Sequence, residues 1–294
     1  MTFGELPKKW KVQIILLSAL SLLFLFMFAS FKILLETYRE TNQVQRSELM
    51  KPDDQLIGER LLIDRPRKNP VKVNIYRPKG VSETSLSLIV NVHGGGFVGG
   101  DADALDTQSQ RIADKWRKVV VTVNYTKADV RPISYGAEEI KDTVLYFAKE
   151  KTSYGVDPAK IFIIGYSAGA HYAALSAELL SKEKFGLAGL VMAYPWTTGL
   201  SVEKQEKSFP PTLFVLAGQD PISQKAKPFI EKMRKAGRTV EVIDYPEAVH
   251  SFIESNNPEG LTGANSDMSD IVNSAQEILA RKSEKEMLNW VNNQ

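Results

Sequence analysis

Val- and Ile-rich runs recur along the chain at 88–92, 119–123, 161–164, 189–193, 213–216 and 240–243. Amphipathic or small-residue stretches separate most of them, near 104–117, 136–151, 168–181 and 222–236. Strand patterns alternating with helix patterns predict a parallel sheet with helices on both faces, and strands that are apolar throughout predict burial on both sides. An earlier pair of runs, 59–64 and 71–77, is split by Arg65-Pro66-Arg67-Lys68-Asn69-Pro70 and reads as an antiparallel hairpin at one sheet edge. A last helix near 267–291 closes the domain. The chain shows no internal repeat and no low-complexity segment.

A different pattern occupies the N-terminus. Val12 to Phe31 carries no charge and is rich in Leu, Phe and Ile. At about 1.5 Å per residue, a helix of this length spans a hydrocarbon core. Lys8, Lys9 and Lys11 precede it, with Trp10 as an interface anchor. A cleaved signal peptide is the alternative. Its apolar region would run about 7–15 residues and end in a small-x-small site. Here Met27-Phe28-Ala29 and Phe28-Ala29-Ser30 each put a bulky residue at the −3 position, which argues for an uncleaved anchor. The compact lysine cluster places the N-terminus in the cytoplasm and the rest of the chain outside. The organisation expected is a basic tail at 1–11, a transmembrane anchor at 12–31, a polar helical stalk or partial cover at 32–55, and one domain at 56–294.

Composition narrows the partners. The 37 basic and 35 acidic residues leave a net charge of +2, so no strong field invites nucleic acid. The absence of cysteine excludes disulfides and a thiol nucleophile. No Cys/His cluster suggests a metal, and no cofactor is expected. Oligomeric state is not legible.

The candidate chemistry begins at Gly165-Tyr166-Ser167-Ala168-Gly169, which follows Ile161-Phe162-Ile163-Ile164 and precedes the helix-like His171-Tyr172-Ala173-Ala174-Leu175. G-x-S-x-G between strand and helix is a nucleophile elbow. A serine hydroxyl is a poor nucleophile and must be held clear of its surroundings, facing a base. The tight turn does this, and the flanking glycines leave room for it. The following helix aims its N-terminal dipoles at the site.

A second motif ends the strand Leu88-Ile89-Val90-Asn91-Val92: His93-Gly94-Gly95-Gly96-Phe97, then Val98-Gly99-Gly100-Asp101. Successive glycines let backbone N–H groups turn inward, and acyl transfer needs such donors for its oxyanion. His93 and Gly94 are read as shaping this loop, His93 through a hydrogen bond. Of the three histidines, His171 lies inside the helix begun at the elbow and reads as a packed residue. That leaves His250, on a loop beyond the strand 239–243, as the base. Asp220, directly after the strand 213–216, fits the third position; Asp244 and Glu247 are weaker candidates. The chain order Ser167, Asp220, His250 is that of the strand–elbow–helix hydrolases. His93, Ser167, Asp220 and His250 all follow strands, and ligand sites of open α/β sheets lie at those carboxyl ends.

With these motifs the chain resembles the fold-3 α/β-hydrolases, the hormone-sensitive-lipase-like carboxylesterases. The matching stretches are HGGGFVGGD at 93–101, VTVNYTKA at 121–128, GVDPAKIFIIGYSAGAH at 155–171, AGQDP at 217–221 and the loop around His250. GYSAGAH is also similar to small acetyl esterases that act on carbohydrates. The resemblance implies an α/β-hydrolase fold, a nucleophile at Ser167, a base at His250 and an acid at Asp220. It also implies oxyanion donors at Gly95, Gly96 and Ala168. The expected function is a membrane-anchored serine carboxylesterase acting on small, short-chain acyl or acetyl esters through an acyl-enzyme. A non-catalytic binding protein on the same scaffold, or an amidase or peptidase, is the alternative.

Overall fold

Alternate residues of the central strands enter opposite layers of the molecule. In the strand after the hairpin, Leu88, Val90 and Val92 join one core and Ile89 the other. Farther along, Ile161 and Ile163 face the first core, and Phe162 and Ile164 the second. Period-2 alternation with both sides apolar is the mark of a sheet covered on both faces. The computed structural model describes residues 3–81, 84–256 and 269–294. The chain divides into two units, Met1–Gln45 and Arg46–Gln294.

The first unit is almost entirely helix α1, Lys8–Ser47, 40 residues long, whose last two residues, Arg46 and Ser47, belong to the second unit. No break separates the apolar stretch from the polar one. A Lys32–Glu36 pair spans one helical turn just past the apolar segment. The helical stalk expected through residue 55 stops at Ser47, and Asp53–Gln55 forms only a 3₁₀ turn. Among the described residues this is the one helix long and apolar enough to cross a membrane, by length and composition.

The second unit holds β1 (Glu59–Arg65), β2 (Lys68–Tyr76), β3 (Leu86–Val92), α2 (Asp106–Trp116), β4 (Val119–Asn124), α3 (Ile133–Lys149), α4 (Lys151–Tyr154), β5 (Val156–Tyr166), α5 (Ala168–Lys182), β6 (Gly189–Ala193), β7 (Thr212–Ala217), α6 (Pro221–Gln224), α7 (Lys227–Lys235), β8 (Val240–Tyr245), α8 (Phe252–Ser255) and α9 (Ser274–Asn292). The strands form one eight-stranded sheet in the order β1-β2-β4-β3-β5-β6-β7-β8. The hairpin β1–β2 sits at an edge and joins β4 antiparallel; every other pairing is parallel. This is the α/β architecture that the alternation predicted.

Three boundaries differ from expectation. The single helix anticipated near 222–236 is two, α6 and α7. Pro228 has no N–H to donate, and its ring would clash with the carbonyl of Gln224, so a helix cannot run through from Pro221. Strand β5 starts at Val156, before the apolar run, because Val156 pairs with Leu86. Helix α9 starts at Ser274, where Asn273 caps it by accepting from the Gln276 amide at 3.0 Å; of the earlier start, 267–268 lie outside the described residues.

Three carboxylates buried after β3 tie the N-terminal part of this unit to the sheet. Asp103 accepts from the Lys51 amide at 3.0 Å, Arg60 Nη2 at 3.2 Å and Asn74 Nδ2 at 2.8 Å. Asp106 takes Lys51 Nζ at 2.8 Å and the amides of Ile57 and Gly58. Asp101 accepts from Asn124 Nδ2 at 2.8 Å and lies 3.9 Å from Lys72 Nζ.

Candidate active site

β5 ends at Tyr166 and α5 starts at Ala168, so Ser167 alone must reverse the chain. It does so with φ 53° and ψ −119°, a conformation that costs a non-glycine residue on the order of 1–3 kcal/mol. The neighbours hold it there. The Ser167 amide donates to Ala193 O at 2.9 Å. A Cβ on Gly169 would lie 2.3 Å from His93 O, so only glycine lets the start of α5 press against the end of β3. In the facing loop, Gly95 has φ 124°, and a Cβ there would meet the Gly99 backbone at 2.4 Å. The Gly99 amide closes that turn on Gly95 O at 2.7 Å. The glycine loop and the serine elbow are thus packed backbone to backbone.

Ser167, His250 and Asp220 stand in one hydrogen-bonded chain. His250 Nε2 lies 2.8 Å from Ser167 Oγ, and His250 Nδ1 lies 2.6 Å from Asp220 Oδ2. An ionised carboxylate only accepts, so Nδ1 carries the hydrogen and Nε2 accepts from the serine hydroxyl. Asp220 is itself fixed. It caps α6, accepting from the amides of Ile222 at 2.9 Å and Ser223 at 3.1 Å. Asp220 is buried, and His250 presents an open edge. The weaker acid candidates lie elsewhere. Asp244 pairs with Lys227 Nζ at 3.2 Å, and Glu247 is exposed. His171 is buried, with Nδ1 donating to Trp196 O at 3.0 Å.

A family model described as alpha/beta hydrolase fold matches residues 89–208 and 200–254. The chain belongs to the alpha/beta-hydrolase family. Among curated proteins it is 35% identical over 119 residues to arylacetamide deacetylase of Oryctolagus cuniculus, a match covering 39% of this chain and 30% of that protein. It is 25% identical over 257 residues to versiconal hemiacetal acetate esterase of Dothistroma septosporum, covering 70% and 78%. The chain therefore aligns with under a third of the first relative's length and more than two thirds of the second's. Among solved structures it superposes on the esterase of Pyrobaculum calidifontis with a TM-score of 0.65 at 20% identity, covering 89% and 93%. At that identity the likeness is one of fold.

This alpha/beta hydrolase also places groups at the site that its sequence did not single out. The Tyr194 ring meets the His250 ring edge-on, centroids 5.2 Å apart. The Tyr194 hydroxyl donates to the buried Glu254. Phe97 and Trp196 stand beside the elbow, their rings 6.2 Å apart. Lys127 reaches His93 from behind the glycine loop. Tyr194, Trp196 and Lys127 follow strands and Phe97 the three glycines, a signal that could have marked them as site residues; Glu254, inside α8, carries no such signal.

Burial pushes the Glu254 carboxyl up to about 8. A carboxyl whose pKa is higher folded than unfolded adds stability that is fully present below its unfolded value and lost as pH rises through about 8. Glu254→Gln is therefore expected to flatten the fall in melting temperature between pH 5 and pH 8. Equal slopes in variant and wild type would contradict this.

Proposed function

We propose that this chain is a membrane-anchored serine carboxylesterase acting on short-chain acyl or acetyl esters. The observation that carries the reading is the Ser167–His250–Asp220 chain, at 2.8 and 2.6 Å, packed against the glycine loop. His250 Nε2 takes the Ser167 proton as Oγ attacks the ester carbonyl carbon. Negative charge grows on the carbonyl oxygen, and the Gly95, Gly96 and Ala168 amides stabilise it. The N-terminal dipole of α5 adds to this. The ester C–O bond breaks, and the alcohol leaves with the proton from His250. Water then gives a proton to His250, attacks the acyl-enzyme, and the acid departs as Oγ regains its proton. Asp220 holds the imidazole tautomer and offsets the charge it carries between steps. The relatives named as esterases agree with this reading. A panel of p-nitrophenyl esters and acetylated sugars, run beside Ser167→Ala, tests it; no hydrolysis by wild type above that variant would defeat it.

Short acyl chains follow from the segment between β6 and β7. Residues 194–211 contain no helix or strand that could serve as a lid. Each buried methylene contributes about 0.8 kcal/mol, and only where a wall buries it, so the preferred acyl length is roughly two to six carbons. A kcat/KM that climbs through twelve carbons would contradict this.

The relative named a deacetylase of arylacetamides supports a second reading, amide hydrolysis by the same groups. Including p-nitroacetanilide in the panel separates the two.

We assign Val12–Phe31 as the anchor, with the hydrolase domain on the extracytoplasmic side. Its length and lack of charge support insertion. The chain is expected to stay in the membrane fraction through alkaline carbonate. Release, or a mature N-terminus near Phe31, would mark a signal peptide instead.

A further inference from the structure

Behind the glycine loop the molecule buries a polar chain that the hydrolysis steps do not use. Lys127 follows β4 and is 4% exposed. Its Nζ lies 2.9 Å from Asn124 Oδ1, 2.7 Å from Tyr125 O and 3.1 Å from His93 Nε2. The other imidazole nitrogen, Nδ1, lies 2.6 Å from Gly94 O. A carbonyl only accepts, so Nδ1 carries the hydrogen. Burial, reinforced by the Lys127 charge, holds the His93 pKa well below its usual value, so the ring is neutral and Nε2 accepts from Lys127. An ammonium has three hydrogens, and here it meets three acceptors. Tyr125 completes the assembly. Its ring stacks on His93 at 4.4 Å, its hydroxyl donates to His93 O at 2.9 Å, and Nζ lies 4.2 Å from its centroid.

The Gly94 carbonyl and the Gly95 N–H belong to one planar trans peptide and point in opposite directions. Whatever grips Gly94 O therefore aims the Gly95 amide. We propose that Lys127 is a positioning residue for the oxyanion donors: its ammonium fixes the His93 tautomer, His93 fixes the Gly94 carbonyl, and that carbonyl sets the direction of the Gly95 amide. The inference rests on the esterase reading above.

Loss of the Lys127 proton has a defined consequence. A neutral amine has two hydrogens for three acceptors. If His93 tautomerises to donate from Nε2, its Nδ1 lone pair faces Gly94 O, and the peptide turns away. Burial lowers the Lys127 pKa to about 7, against the pull of Asp101 and Glu139 and with the push of Arg46 and Lys72. Those four groups face it from the loop before α2, from α3, from the end of α1 and from β2; His93 and Tyr125 complete its surroundings. The competent form is the protonated one, so activity falls as pH rises through that pKa.

The test uses the full chain in detergent with p-nitrophenyl acetate, comparing wild type, Lys127→Met, His93→Gln, the double variant and Ser167→Ala. Lys127→Met is expected to lower kcat about 10- to 100-fold, with KM within about threefold, because a misaimed donor weakens transition-state binding alone. It should also remove the alkaline fall, and the double variant should lose no more than His93→Gln. Wild-type kcat in Lys127→Met, an alkaline fall that persists there and so belongs to another group such as Glu254, or additive losses would overturn the proposal. The ¹⁵N imidazole signals of wild type report the tautomer directly, without relying on the activity of any variant. With three histidines in the chain, the His93 pair is the one missing from His93→Gln. It should show Nδ1–H and an Nε2 signal that moves as Lys127 titrates; an Nε2–H tautomer would overturn the proposal. Activity that survives in Ser167→Ala sinks the esterase reading, whereas Ser167-dependent activity indifferent to Lys127 sinks only this inference.

Discussion

Ser167→Ala is expected to cut ester turnover by roughly 10⁶ while leaving the melting temperature close to wild type. The variant loses only Oγ. That oxygen's hydrogen bond runs to His250, whereas the elbow is held by the Ser167 amide on Ala193 O and by the close approach of Gly169 to His93 O. The fold therefore keeps its supports and the reaction loses its nucleophile. His250→Ala should be as damaging, and the double variant little worse, because the two groups act as one unit. Turnover measured on a preparation free of wild type decides it. Near-normal rates in Ser167→Ala would refute the assignment of the nucleophile.

Asp220→Asn carries the second-largest effect, a loss of about 10⁴ in kcat with substrate binding nearly unchanged. The carboxylate receives three N–H groups: Ile222 on one oxygen, Ser223 and His250 on the other. An asparagine has one acceptor oxygen and one amide donor. If the amide faces His250, the imidazole adopts the wrong tautomer. If it faces Ile222, two donors oppose each other and the α6 cap weakens. In either orientation the negative charge that offsets the imidazolium is gone. A pre-steady-state burst and kcat, measured beside thermal melting, separate these losses. A variant with kcat within tenfold of wild type would remove Asp220 from its role.

Much of this arrangement was legible in the residues because strands, turns and motifs repeat a local code. Continuous apolar runs marked the interior strands, and the split pair 59–64 and 71–77 marked the edge hairpin. The elbow and the glycine loop could be located because tight backbone approach demands glycine at fixed offsets. Asp220 and His250 were found by order, since both follow strands at one edge of the sheet. What escaped was contact between distant segments. Nothing local marks Lys127 as the partner of His93, or Glu254 as the partner of Tyr194, 60 residues away. The single helix expected at 222–236 failed for a local reason, the proline at 228.

The aspartates at 101, 103 and 106 bear on where this domain can be cut. The match to the family model begins at residue 89. The counter-charges do not. Lys51, Arg60 and Lys72 all lie upstream of it, as does the backbone of Ile57 and Gly58. Stripping the partner from a buried carboxylate costs about 3–5 kcal/mol, and two or three such losses rival the stability of a whole domain. A fragment trimmed to residues 89–254 keeps Ser167, Asp220 and His250 and is still expected to fail to fold. The smallest autonomous enzyme is larger than the stretch that the family model matches, because the carboxylates buried after β3 are neutralised from upstream of residue 89.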